Sequence, residues 1–173
     1  NNISAARRFY GFRFHEHPTW GCPWLAQGWG AVHDLTTDRN DADITFAAAD
    51  WLVSQQLEKN GAFLEDMSPD EPSFNTGFIA EGLAGAWRTA LAQGEHERAK
   101  RYEQSWRRAI GFIETLTLQP TDVFPFATPH AAIGGVRCTL SRASIRIDQV
   151  SHTLHALVEG HQLLASLRQM GVH

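Results

Sequence analysis

The sequence predicts an all-α domain built from helical hairpins, on three observations. Apolar residues recur at spacings of three and four along most of the chain. No β-alternating run of useful length interrupts them. Helix stop signals, Lys59-Asn60-Gly61 and Gly94, fall where the periodic stretches end. A length of 173 residues suits one domain spanning 1–173 with a sizeable core.

After an aromatic lead-in (Phe9, Tyr10, Phe12, Phe14), PTWGCPW reads as a turn-rich loop carrying Trp20 and Trp24. A helix is predicted over 24–35, with Trp24, Leu25, Trp29, Val32 and Leu35 inward, and the polar stretch TTDRND ends it. The next helix covers 43–57, with Phe46, Ala49, Trp51, Leu52 and Val53 inward. The loop FLEDMSPDEPS then leads to a third helix, capped by Asn75 or Thr76 and ending near Gln93. That helix holds Gly77, Gly82 and Gly85, and each interior glycine costs about 0.5–1 kcal/mol relative to alanine. Only tight packing makes such a sequence sensible, so it should be an inner helix. Residues 95–118 read as its outer partner, with Tyr102, Trp106, Ile110, Ile113 and Leu116 facing in. A long loop over 119–144 delivers the chain to a last helix beginning near Ile147.

The last helix has two contrasting faces. Val150, Leu154, Leu157 and Val158 form the apolar stripe expected to face the core. Asp148, His152, His155 and Glu159 form a separate line of ionisable groups, with Arg146 just ahead of them. Two imidazoles between two carboxylates suit a helix that lines a polar cavity. Buried without partners, charged groups cost several kcal/mol, so water or a ligand is expected to reach them. Arg146, Asp148 and His152 are expected to line that cavity together.

Composition narrows the function classes. Hydrophobic residues make up 43% and charged residues 20%, an ordinary soluble globular balance. The formal charge of -4, from 15 Lys+Arg against 19 Asp+Glu, leaves no basic excess for nucleic acid. No apolar run approaches the ~20 residues of a membrane span. Cys22 and Cys138 belong to no CxxC pair, which disfavours a thiolate zinc knuckle; a disulfide between them and the cellular compartment are left open. The chain opens on Asn1-Asn2 with no signal-peptide pattern, as expected of a processed product, a domain or a fragment.

Residues 24–57 and 76–118 read as approximate repeats of about fifty residues, and Ile147 opens a third. Such self-similar helix pairs suggest a solenoid or a closed α/α ring. The segment ADWLVSQQLEKNGAFLED, with Trp51, Leu52, Gln55 or Gln56, Gly61 and Phe63, resembles the pattern A-x-W-L-x-x-Q-x-x-x-G-x-F/W. That pattern recurs in the α/α toroids, which include the terpene cyclase and prenyltransferase group and the six-hairpin carbohydrate enzymes. The glutamine-to-glycine spacing is longer here than in the cyclases, and their DxDD acid motif is absent, which argues against terpene cyclisation. The resemblance implies the C-terminal portion of a toroid with a central polar cavity, completed by a second chain or segment.

Candidate chemistry follows from residue type. Glycosidic chemistry needs two carboxylates facing a cleft, and Glu65, Asp66, Glu81, Asp148 and Glu159 are available. Glu81 stands out because an acid in a Gly/Ala-rich inner helix is out of place unless it serves something, whereas Asp148 also suits a helix start. Glu81, Asp148 and His152 are therefore the catalytic candidates. Trp20 and Trp24 would stack on a sugar ring, and Arg137 and Arg146 would clamp a carboxylate, Arg146 also being placed to pair with Asp148. Trp51, Trp87 and Trp106 fall on apolar stripes and read as core. The leading expectation is a toroid enzyme (hydrolase, lyase or epimerase) acting on a saccharide or uronic-acid ligand without a cofactor. The alternatives are a helical-repeat module binding a partner on its open face, and a divalent-metal site through His152 and His155, to which His15-Glu16-His17 could contribute.

Overall fold

Seven helices carry the described chain, which in this computed structural model comprises residues 2–10, 18–64 and 71–171. They are α1 (Asn2–Tyr10), α2 (Pro18–Thr36), α3 (Arg39–Ser54), α4 (Asn75–Ala92), α5 (His96–Leu116), α6 (Pro129–Ala132) and α7 (Ile147–Gln169). Among the described residues there is no strand, only three isolated bridges. The predicted all-α hairpin class holds. Helices α2, α4 and α7 lie side by side in one layer with α4 at the centre, and α3 and α5 pack on them as a second layer.

The small residues of α4 explain its central place. Every residue from Thr76 to Trp87 is buried. A Cβ at Gly82 would stand 2.9 Å from both the Cα and the carbonyl oxygen of Pro23 in α2. On the other side Gly77 lies against Thr153 of α7. Gly160 of α7 in turn accepts the ring of Trp106, whose indole N–H donates to the Ala156 carbonyl at 3.1 Å. Around these contacts Phe46, Leu52, Phe63, Leu83, Trp87, Tyr102 and Leu116 form a buried core. Trp87 and Trp106 are core as expected, and Trp51 packs half-buried against it.

Five expectations need correction. PTWGCPW is helical: α2 starts at Pro18, where a proline's fixed φ and missing N–H suit the first turn. Pro23 lies inside α2, where it denies the Thr19 carbonyl its usual donor. The core face of α2 is Cys22, Ala26, Trp29 and His33, so of the predicted stripe only Trp29 is buried; Trp24 and Leu35 are exposed. TTDRND breaks the chain for only two residues, Thr37 in the left-handed region (φ 55) and Asp38, which caps α3 by accepting from the Asn40 N–H at 3.0 Å. At the start of α4 the oxygen comes from Ser73, which accepts from the Asn75 N–H, while Thr76 Oγ1 accepts from the Phe63 N–H.

The fifth correction concerns α7. Of its predicted core stripe only Val150 packs half-buried against the core; Leu154, Leu157 and Val158 are exposed, and Thr153, Ala156 and Gly160 are the buried residues. Helix axes approach most closely where side chains are small, and α7 meets α4 and α5 through those three positions. The bulkier stripe is left on the far side.

Two local devices fix the hairpins. Gln56, one of the two glutamines of the toroid-like pattern, donates to the carbonyls of Gly61 and Ser105 and accepts from the Ser105 hydroxyl, joining α3's C-terminal turn to α5. The long loop folds on itself and is tied to the entrance of α4, with the Phe74 N–H donating to the Cys138 carbonyl and Ser141 donating twice to Glu71. This brace sets the start of α7 beside the start of α4.

Cys22 and Cys138 are both buried and free. Burial pushes the Cys22 thiol from 9.0 up to about 12. Its contribution to stability is therefore present below pH 9.0 and is lost as pH rises towards about 12. In the folded chain at pH 8 Cys22 should resist iodoacetamide, and denaturant should expose it. Rapid native alkylation, mapped by mass spectrometry, would contradict this burial.

Candidate functional site

The polar side chains of α2, α4 and α7 meet in two layers along one face of the three-helix sheet. In the first, Glu81 of α4 is 3% exposed and acts as the hub. Its Oε1 accepts from Gln27 Nε2 of α2 at 2.6 Å and lies 3.3 Å from His155 Nδ1. Its Oε2 lies 2.7 Å from His152 Nδ1 of α7. A carboxylate oxygen accepts, so His152 Nδ1 is the donor, and in the neutral ring Nε2 is then the nitrogen that can take up a proton. The His152 side chain is 22% exposed, so solvent reaches the imidazole.

An aromatic wall borders this dyad. Trp24 lies edge-on to the His152 ring at 5.4 Å between centroids and 4.6 Å from Phe78, itself 5.0 Å from His152. Trp24 is 49% exposed, so part of its indole is open to a ligand. It stands here because α2 begins upstream of it and carries its ring across to α7.

The second layer lies seven residues further along each of the same helices, about 10 Å at 1.5 Å per residue. Asp34 follows Gln27, Arg88 follows Glu81, and Glu159 follows His152. Arg88 Nε lies 3.0 Å from Asp34 Oδ2, and its Nη1 pairs with Glu159. One face thus carries a carboxylate among an amide and two imidazoles and, two turns on, a guanidinium between two carboxylates.

The other candidates fall elsewhere. Arg146 and Asp148 join each other through two hydrogen bonds, of 3.1 and 2.8 Å, on the exposed first turn of α7. That bond holds the Asp148 carboxyl below its ordinary 3.8. Asp148 and Arg146 therefore bind each other, while His152 turns to Glu81. Arg137 donates to the Thr115 carbonyl at 2.8 Å and fastens the loop to the end of α5. The side chain of Trp20, and His15, Glu16, His17, Glu65 and Asp66, lie outside the described residues. His152 and His155 both aim Nδ1 at Glu81, and among the described residues no group of three or more His, Cys, Asp or Glu is arranged to hold a metal ion.

No protein-family model matches the chain, and neither a curated protein nor a solved structure matches it.

Sequence reasoning picked out Glu81, His152 and Trp24, which the fold brings together, and named Glu159, but missed Gln27, Phe78 and the Asp34 and Arg88 that share a layer with Glu159. A signal for the second layer was present: each of the three helices places polar residues seven apart on one line. It becomes legible only once the three helices are known to be neighbours.

Proposed function

We propose that the chain is part of an α/α-toroid enzyme acting on a saccharide, in which His152, oriented by Glu81, moves a proton while Trp24 stacks on a sugar ring. The observation that carries this reading is the buried Glu81 carboxylate on His152 Nδ1 beside a half-open indole. An imidazole whose Nδ1 is held by a carboxylate and whose Nε2 is left to take up a proton is the arrangement a general base needs. Hydrolysis by two carboxylates fits less well. Glu81 already has three partners, and Asp148 is engaged by Arg146 on an exposed turn. A single imidazole base suits removal of the proton from the carbon next to the carboxylate of a uronic acid. In elimination the electron pair of that C–H bond becomes a carbon–carbon double bond as the neighbouring carbon–oxygen bond breaks, and the departing oxygen takes a proton from water. In epimerisation a proton returns to the opposite face of the same carbon.

The test is to incubate the chain with a panel of uronate-containing and neutral oligosaccharides, following unsaturated product by ultraviolet absorbance and inversion by NMR. Turnover confined to uronates, by either route, is expected. New reducing ends without unsaturation would make the enzyme a hydrolase and remove the proton-abstraction step. A binding-module reading is favoured by the exposed Ile147, Leu154 and Val158 on α7. It predicts binding to a protein partner and no turnover on any of the panel.

A further inference from the structure

A groove of about 690 Å³ lies between α5 and the last turns of α4 and α7, apart from the Glu81 cluster. Leu91 on its floor stands ten residues beyond Glu81, about 15 Å along α4. Leu164 and Leu167 of α7 complete the apolar floor.

The charge of the groove runs against that of the chain. Its lining holds three cations, Lys100, Arg107 and Arg168, against one carboxylate, Glu103, in a chain whose formal charge is -4. Glu103 is already paired with Arg107 at 2.8 Å. Lys100 and Arg168 are exposed and pair with no carboxylate among the described residues. The helix directions place these two at the same end. Helices α4 and α7 run parallel, since Glu81 meets His152 and Arg88 meets Glu159. Helix α5 returns antiparallel, with Trp106 against Trp87 and Gly160. The start of α5, with His96 and Lys100, therefore lies beside the end of α7, with Arg168, and the Arg107–Glu103 pair stands at the other end. One end is cationic, the other is neutral, and leucines lie between.

We propose that this groove binds an anionic amphiphile, a single acyl chain ending in a carboxylate. The carboxylate lies between Lys100 and Arg168, with His96 beside them, and the chain runs over Leu91, Leu164 and Leu167 towards the Arg107–Glu103 pair. Two unpaired cations beside an apolar floor match both parts of such a ligand, and the volume is that of a small-molecule site. An acidic helix from a partner protein fits less well. Along the roughly 16 Å from His96 to Arg107, a helix about 10 Å across occupies about 1,250 Å³, nearly twice the groove.

Calorimetric titration of the full chain with dodecanoate, below its micelle concentration, is expected to show saturable one-to-one binding. Octanoate should bind more weakly, by up to about fourfold for each CH₂ removed. Lys100→Glu and Arg168→Glu, combined in one variant, should keep the wild-type circular dichroism and melting temperature and lose at least tenfold in affinity. Dodecyltrimethylammonium, with the same tail and a positive head, should not bind the wild type, a comparison that needs no variant. Absence of dodecanoate binding overturns the proposal, as does equal binding of the two head groups. Equal affinities for dodecanoate and acetate would make the groove an anion site alone and overturn it too. A double variant that is folded and binds as tightly as wild type would place the acyl chain elsewhere. None of these outcomes bears on proton transfer by His152, which is tested separately.

Discussion

Gly82→Ala should destabilise the fold by about 1–3 kcal/mol, lowering the melting temperature by several degrees. This reverses the sign usual for the substitution, since alanine in a helix interior is favoured over glycine by up to ~1 kcal/mol. The reversal arises because the new methyl would stand 2.9 Å from the Cα and the carbonyl oxygen of Pro23. Both are backbone atoms of α2, so no side chain can swing aside, and the whole α2–α4 contact must open to admit the methyl. Gly111 provides the internal control. It lies on the exposed face of α5 with nothing within 4 Å of the position its Cβ would take, so Gly111→Ala should stabilise by about 0.5–1 kcal/mol. Differential scanning calorimetry of the two variants decides the matter. A Gly82→Ala protein as stable as Gly111→Ala would mean that α2 and α4 are not in backbone contact.

The same close approaches explain which parts of the fold were legible in the sequence. Helices α3 and α5 were found with their inward residues because those residues are large: Phe46, Leu52, Tyr102, Trp106 and Leu116 are all buried. The central role of α4 was legible from its glycines. The face of α7 was not, because hydrophobic periodicity weighs side-chain size, and α7 packs through Thr153, Ala156 and Gly160. Where an inner helix is pressed against glycine-rich neighbours, the line of small residues marks the contact, and a line of large apolar residues marks a face still open. The same rule applies to α2, where Cys22 and Ala26 are buried while Leu35 is 88% exposed. The start of α2 was hidden for a different reason. Pro18 and Pro23 read locally as turn formers, yet one occupies a first-turn position and the other is accommodated beside Gly82.

The candidate site was legible at Glu81 because a carboxylate among glycines and alanines has no bland explanation, and the fold gives it Gln27, His152 and His155. It was misread at Asp148, whose partner, Arg146, sits two residues away and needs no tertiary structure at all. Partners supplied by another helix cannot be read from one helix's pattern, and Gln27 is such a partner.

His152→Ala and Glu81→Gln should separate chemistry from packing more sharply than any other pair. If His152 is the base, its removal should lower kcat on a uronate substrate by about 10²- to 10⁴-fold with KM little changed. Its side chain is 22% exposed at the border of the cluster, so the melting temperature should move by no more than a few degrees. Glu81→Gln keeps the shape of the hub but replaces one acceptor oxygen by an N–H₂ donor. Facing Gln27 Nε2 and His155 Nδ1, that donor loses a hydrogen bond; facing His152, it keeps one only if the imidazole proton moves from Nδ1 to Nε2. With the group 3% exposed, the loss should cost about 1–3 kcal/mol of stability. It should also lower kcat by releasing the His152 tautomer, visible as a changed pattern of imidazole ¹⁵N shifts. The two variants should therefore differ in stability and agree in chemistry. If His152→Ala destabilised as much as Glu81→Gln while turnover survived, the cluster would be a packing device joining α2, α4 and α7, and the catalytic assignment would fall.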